Sequence, residues 1–196
     1  MSEGSDKEVV PGVPIAHLET SRVGLIPVDQ SHYSMLRQLE MSSSLGSRWR
    51  LRGATPSPED YPRSLWAGVL AQFLIADRLQ RAMMGLVACY DANMVGGYAY
   101  FAGTKFNVAD RSPMFIEGCV LMIGHIFESW PLRKLYFDVP SFNLPLLRSG
   151  IGRFLMEEGI LREHVYLAGR YWDQHTLALY RTTWLDLKPA LQRLST

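Results

Sequence analysis

Glu158-Gly159-Ile160-Leu161-Arg162 and Tyr166-Leu167-Ala168-Gly169-Arg170-Tyr171-Trp172-Asp173, followed by Tyr180 and Trp184 and preceded by Asn143, form the stretch on which the fold of this 196-residue chain turns. Two strands are expected here, around residues 160–168 and 173–183, from their β-branched and aromatic content. Just upstream, Lys134 to Val139 reads as another strand and Leu144 to Glu157 as a short or broken helix, with Asn143 in the connection between them.

Further back, Phe115, Cys119, Met122, Ile123, Ile126, Phe127 and Trp130 recur at helical spacing, the strongest helix signal in the chain. Gln72 to Ala76, Met84 to Tyr90 and Val95 to Phe106 are strand-like and separated by the polar turns Asp77 to Arg81 and Asp91 to Asn93, which suggests an antiparallel meander. The strand-helix-strand unit from Val95 to Val139 requires a crossover between parallel strands. At the other end, Arg22 to Val28 alternates as a first strand, and Asp29 or Ser31 caps a helix with Tyr33, Leu36 and Leu39 on its apolar side. Ser57-Pro58-Glu59-Asp60 opens a second helix, expected to run to about Val69.

The resulting expectation is an α/β (α+β) fold with a mixed, mostly antiparallel central sheet of about seven strands flanked by about four helices. One domain spans residues 15–188, after a flexible lead-in over 1–14 and before a C-terminal tail over 189–196.

Composition narrows the function classes. With 20 basic and 19 acidic residues the net charge is +1, so no electrostatic footprint for nucleic acid or an anionic membrane is present. Apolar stretches such as Cys119 to Ile123 are far shorter than the roughly 18 to 20 residues of a spanning helix, and Met1 to Val10 lacks the character of a secretory signal. A cytoplasmic location is expected. Cys89 and Cys119 lack CxxC spacing and read as core thiols; the five histidines show no HxxxH or HxH pattern, so no metal site is expected. Gly96-Gly97, inside a strand pattern, reads as a bulge.

The element order, and above all the stretch from Asn143 to Trp184, resembles the GNAT N-acyltransferases, in particular the branch that acetylates ribosomal-protein N-termini. The resemblance covers Ile15 to Lys188: Leu18-Glu19-Thr20-Ser21-Arg22 looks like the opening strand, and Phe127 to Asn143 like the end of a helix, the fifth strand and its asparagine. It implies transfer of an acyl group from acetyl-CoA or another acyl-CoA to a primary amine of a small molecule or protein N-terminus, by direct attack on the thioester.

In that family the pyrophosphate of coenzyme A rests on backbone amides at the start of the third helix, which here corresponds to the turn Asp110 to Phe115. Arg111 and Pro113 stand where two glycines are usual. The resemblance therefore assigns Arg111, Ser112 and the amides of Met114 and Phe115 to the cofactor, with Arg111 equally readable as a surface arginine. Asn143 falls at the position that contacts the pantetheine arm, or else caps the next helix.

The proton-transfer residues of the branch, a serine and a glutamate, are replaced by Leu146 and Val165. The catalytic residues are consequently unknown; Glu117, Asp138, His164 and Tyr166 are the replacement candidates, with Asp173 matching an aspartate usually read as structural. Trp49 and Arg50, in an arginine-rich alternation, and Tyr100 are candidates to contact the acceptor. The partners implied are a small-molecule or peptide amine, with a homodimer and an acyl carrier protein as further options, and neither nucleic acid nor membrane. Two alternatives accompany this function: a catalytically degenerate binding or assembly protein of the same fold, and an acyltransferase whose donor is borne by a carrier protein.

Overall fold

A computed structural model describes residues 18–42 and 53–194. Seven strands form one sheet in the order β1-β2-β3-β4-β5-β7-β6. The strands are β1 (Val23–Pro27), β2 (Val69–Asp77), β3 (Met83–Asn93), β4 (Tyr98–Lys105), β5 (Lys134–Pro140), β6 (Met156–Leu167) and β7 (Arg170–Tyr180). Among the described residues the α-helices are α1 (Tyr33–Glu40), α2 (Tyr61–Trp66), α3 (Met114–Ser129), α4 (Leu144–Leu147) and α5 (Arg181–Leu194). The expected mixed, mostly antiparallel seven-stranded sheet is thus present.

β1 to β4 are an antiparallel meander. α3 then crosses over, and β5 returns parallel to β4, paired at Tyr98 with Lys134, Ala99 with Leu135 and Tyr100 with Tyr136. Beyond those three pairs the strands part: β4 runs on to Lys105 beside β3, while β5 runs on to Pro140 beside β7. β6 and β7 form a hairpin in which Leu167 faces Arg170. Its two-residue turn, Ala168 (φ 53°) and Gly169 (φ 78°), is left-handed at both positions, the geometry that matches strand twist.

Alternation sorts the side chains into two layers. One face presents Ile75, Val87, Cys89, Phe101, Leu135, Leu177 and Leu179 to Met122, Ile126 and Phe127 of α3, with Trp184 of α5 joining them. The other presents Leu74 and Leu86 to Leu36, Tyr61 and Leu65 of α1 and α2. Farther along this second face, toward β4, β5 and β7, the apolar residues give way to Tyr90, Tyr100, Tyr136 and Tyr180.

Local signals explain most boundaries. Asp29 accepts a hydrogen bond from the Ser31 amide at 2.8 Å, while His32 reaches back to the Asp29 amide, a reciprocal cap before α1. Arg181 donates to the carbonyls of Phe127, Trp130 and Leu132, so a guanidinium satisfies the end of α3 where the helix dipole is negative.

Four expectations are corrected. Ser57 to Asp60 closes on itself as a turn, with the Asp60 amide donating to Ser57 Oγ at 3.2 Å, and α2 begins only at Tyr61 and stops at Trp66 because β2 already starts at Val69. Gly96-Gly97 is the β3–β4 turn, not a bulge: Asn93 Oδ1 accepts the Gly96 amide, and Arg133 holds both glycine carbonyls. The helix expected over 144–157 ends at Leu147, and Glu157 and Glu158 belong to β6. The last strand stops at Tyr180, and α5 carries the chain to Leu194 through residues read as strand end and tail, with Pro189 inside the helix. No helix among the described residues is long and apolar enough to cross a membrane.

Candidate active site

The parting of β4 and β5 opens the middle of the sheet, a place where irregular pairing admits a ligand to strand edges otherwise sealed by hydrogen bonds. The tyrosine face lines one side. Ring centroids are 5.8 Å apart for Tyr90 and Tyr100, 5.5 Å for Tyr100 and Tyr136, and 5.5 Å for Tyr98 and Tyr136. Beyond the last parallel pair, Asp138 extends the row on β5, exposed and held by the Thr176 hydroxyl, which donates to Oδ1 at 2.9 Å. Burial and the nearby Asp138 carboxylate push the Tyr100 phenol above its ordinary range, with Tyr98, Tyr136 and Asp91 adding to the effect. Tyr100 is therefore a protonated donor close to an open carboxylate. Of the residues singled out from the sequence, Asp138 and Tyr100 are the two that the fold brings together.

At the other end of this row stands a cluster that sequence reasoning missed. Lys134, 6% exposed, lies 4.4 Å from the Tyr136 ring centroid and donates to Glu158 Oε2 at 2.6 Å. The Tyr136 hydroxyl donates to the same oxygen at 2.7 Å, and the Tyr180 hydroxyl donates to Oε1. Burial pushes the Glu158 carboxyl up, but the Lys134, Tyr180 and Tyr136 hydrogen bonds outweigh it and hold the carboxyl at about 2. Register explains the aim of the side chain: Glu157 pairs with Leu177 and Gly159 with Thr176, so Glu158 is an extra residue in a bulge. A bulge of this kind leaves no periodic trace, although the Glu-Gly pair marks its position.

The start of α3 lies beside the same opening. Some of the donors there are taken: Asp110 Oδ1 accepts the Ser112 amide at 2.8 Å, Ser112 Oγ accepts the Met114 amide at 3.3 Å, and Pro113 has no amide to offer, which leaves the first-turn amides of Phe115 and Ile116. Lys105, the last residue of β4, pairs with Asp110 Oδ2 at 3.1 Å. Arg111 is exposed. The Phe115 ring lies against Gly85 and Gly103, where a methyl at Gly85 would come within 2.6 Å of it. The side chain of Asn143 makes no capping hydrogen bond to α4.

The remaining candidates lie apart from the opening or are engaged. Glu117 is buried and accepts from Thr20 Oγ1 at 2.5 Å and from Arg22 Nη2 at 2.6 Å, tying α3 to the segment just before β1. His164 is exposed on β6, and Tyr166, 62% exposed, packs edge-on against Tyr171. Leu146 is 79% exposed, whereas Val165 is 7% exposed and paired with Trp172. Asp173 lies within β7, where it accepts the Glu163 amide at 2.9 Å and pairs with Arg162. Trp49 and Arg50 lie outside the described residues. Among the described residues no three His, Cys, Asp or Glu side chains gather as a metal-binding group.

The sequence matches no protein-family model and no curated protein. Solved structures do match. A spermidine N-acetyltransferase from Vibrio cholerae, in complex with CoA and spermine, superposes with a TM-score of 0.69 at 19% identity, over 84% of this chain and 99% of that one. The ribosomal L7/L12 alpha-N-protein acetyltransferase RimL, in complex with CoA, gives 0.70 at 16% identity, over 85% and 98%. A manganese-bound spermidine/spermine N-acetyltransferase from Vibrio cholerae gives 0.64 at 20% identity, over 85% and 96%. At such identities the likeness establishes the fold, which is that of the GNAT acetyltransferases.

Proposed function

We propose that this GNAT-fold chain is an N-acyltransferase that passes an acyl group, acetyl in the first instance, from a coenzyme A type thioester to a primary amine of a small molecule or a protein N-terminus. One observation carries the reading: an accessible carboxylate, Asp138, stands on the tyrosine face just past the point where β4 and β5 separate, within electrostatic reach of the protonated Tyr100. The acetyltransferases of the same fold act as precedent for the reaction class.

The chemistry follows from what an amine and a thioester need. An aliphatic amine is protonated near neutral pH, so a base must take its proton before nitrogen can attack the carbonyl; Asp138 is that base. The thioester carbon–sulfur bond then breaks as the amide bond forms; Tyr100 gives the departing thiolate a proton from a phenol kept protonated by its surroundings, and the second proton that the nitrogen sheds on becoming an amide restores that phenol. Thr176 orients Asp138 by its hydrogen bond. Facing tyrosine rings favour a cationic amine over a neutral competitor.

The test is release of free thiol from acetyl-CoA across a panel of primary amines. Turnover with at least one amine is expected, and Asp138→Asn should lower kcat about a hundredfold with little change in KM. Thioester binding without turnover on any amine would favour the alternative, a binding or assembly protein that has kept the fold without the reaction.

A further inference from the structure

We infer that the donor is recognised through its pantetheine arm and thioester, without a seat for the nucleotide end, so that the chain takes pantetheine thioesters that lack the adenosine phosphates; the inference rests on the acyl-transfer reading. A helix N-terminus beside the opening is where the phosphates of acyl-CoA would be drawn, because free amides and the helix dipole both favour an anion there. In this chain the turn that leads into that helix already carries an anion of its own, Asp110, and lacks the amide of Pro113.

The Asp110 carboxylate takes the Ser112 amide at 2.8 Å with one oxygen and pairs with Lys105 at 3.1 Å with the other. The Lys105 ammonium also donates to the Asp110 carbonyl at 2.5 Å and to the Ser112 carbonyl at 3.4 Å, closing the turn as a clasp between the end of β4 and the start of α3. The Met114 amide is taken by Ser112 Oγ, and Pro113 lacks one. A phosphate arriving here would meet the repulsion of the Asp110 carboxylate and a lysine already neutralised, with the Ser112 and Met114 amides occupied and only those of Phe115 and Ile116 left in the first turn. The Ser112 hydrogen bond and then Lys105 hold the Asp110 carboxyl below its ordinary range, so the internal anion persists at neutral pH.

Pantetheine makes no such demand. It is an uncharged chain of amides, suited to a strand edge left unpaired where β4 and β5 separate, and the Asn143 side chain is not consumed as a helix cap. Two sources carry this chemistry, a free pantetheine thioester and one borne by a carrier protein.

The experiment compares binding of S-acetyl-pantetheine with acetyl-CoA by ligand-observed NMR and calorimetry to millimolar concentration, with acetylated acyl carrier protein as a third arm. The wild-type protein should bind the first two within about threefold of each other, because no phosphate contact separates them. Tighter binding of the acylated carrier identifies a carrier-borne donor, and equal binding a free one; both agree with the inference. Asp110→Ala should tighten acetyl-CoA about tenfold and leave S-acetyl-pantetheine unchanged, since it frees an amide and a lysine for phosphate. Asp110→Asn, which keeps an acceptor for the Ser112 amide while removing the charge, should act in the same direction if the alanine variant does not fold. Acetyl-CoA binding a hundredfold more tightly than S-acetyl-pantetheine in the wild-type protein would overturn the inference and leave the acyl-transfer reading standing. Binding of none of the three donors would overturn that reading instead.

Discussion

Lys134 on β5 and Glu158 on β6 meet 24 residues apart in sequence, through a 2.6 Å ion pair laid across the end of β7. The lysine is nearly removed from water, and two tyrosine hydroxyls complete the coordination of the carboxylate. Removing the carboxylate leaves a buried ammonium with only the neutral Tyr136 and Tyr180 side chains around it. Glu158→Gln should therefore lower stability by about 2 kcal/mol, allowing for the partial access of Glu158 to water, as read from urea unfolding.

The same pair sets an acid limit. Glu158 is held at about 2 in the folded protein against an ordinary value of 4.5, so its contribution is complete above pH 4.5 and drains away as the pH falls toward 2. The sign reverses for Lys134, whose raised value makes its contribution complete below 10.5 and lost at higher pH. Unfolding free energies measured across the acid range should fall less steeply for Glu158→Gln than for the wild-type protein; parallel curves would refute the assignment.

Glu117 offers the contrast with Asp138. Glu117 lies in α3 and is occupied by Thr20 and Arg22, whereas Asp138 on β5 is exposed and held only by Thr176. Glu117→Gln should cost about 1 to 2 kcal/mol in stability by weakening the tie between α3 and the segment just before β1, while turnover per folded molecule stays near wild type. Loss of turnover comparable to that of Asp138→Asn would make Glu117 the base.

A glutamate at Val165, where the resemblance expects one, should not supply a working base. Val165 is buried against the β7 partner Trp172, where a carboxylate finds apolar surroundings. Val165→Glu should destabilise by about 2 to 3 kcal/mol without raising kcat, measured by thermal unfolding and thiol release together.

Close packing of α3 on the sheet depends on a missing side chain. A methyl on Gly85 would lie 2.5 Å from the Thr104 carbonyl and 2.6 Å from the Phe115 ring, and the carbonyl belongs to backbone that cannot step aside. Gly85→Ala should cost about 1 to 3 kcal/mol and displace the first turn of α3, visible as changed amide shifts at Met114 and Phe115.

What could be read in the residues was what repeats. The apolar spacing from Phe115 to Trp130 marks α3, and the alternating runs mark β2 to β5, because a face that must be buried imposes its period on the sequence. Features that depend on register or on single hydrogen bonds were hidden. Glu158 fell between the helix expected to end at Glu157 and the strand expected near 160, and the bulge that turns it toward Lys134 exists only as a mismatch with Leu177 and Thr176. α5 was obscured by Pro189 and by the aromatic residues Tyr180 and Trp184, which suit a strand equally well. At the start of α3 the resemblance implied that two glycines are replaced, but not that Asp110 folds back onto the Ser112 amide; that needs the conformation of the turn.

Three residue pairs join the β1–β4 meander to the β5–β7–β6 half of the sheet, so the molecule is two hydrogen-bonded rafts moored by a short seam and overlaid by α3. Cooperative unfolding is transmitted through that seam and helix, helped by the Arg133 bonds to Gly96 and Gly97 and by ring contacts such as Phe101 with Phe137 that join the two halves. A molecule lodged in the gap adds bonds to both rafts at once. Occupancy therefore registers as synchronised hydrogen exchange in strands far from the contact, with the two rafts gaining protection in step as the ligand concentration rises.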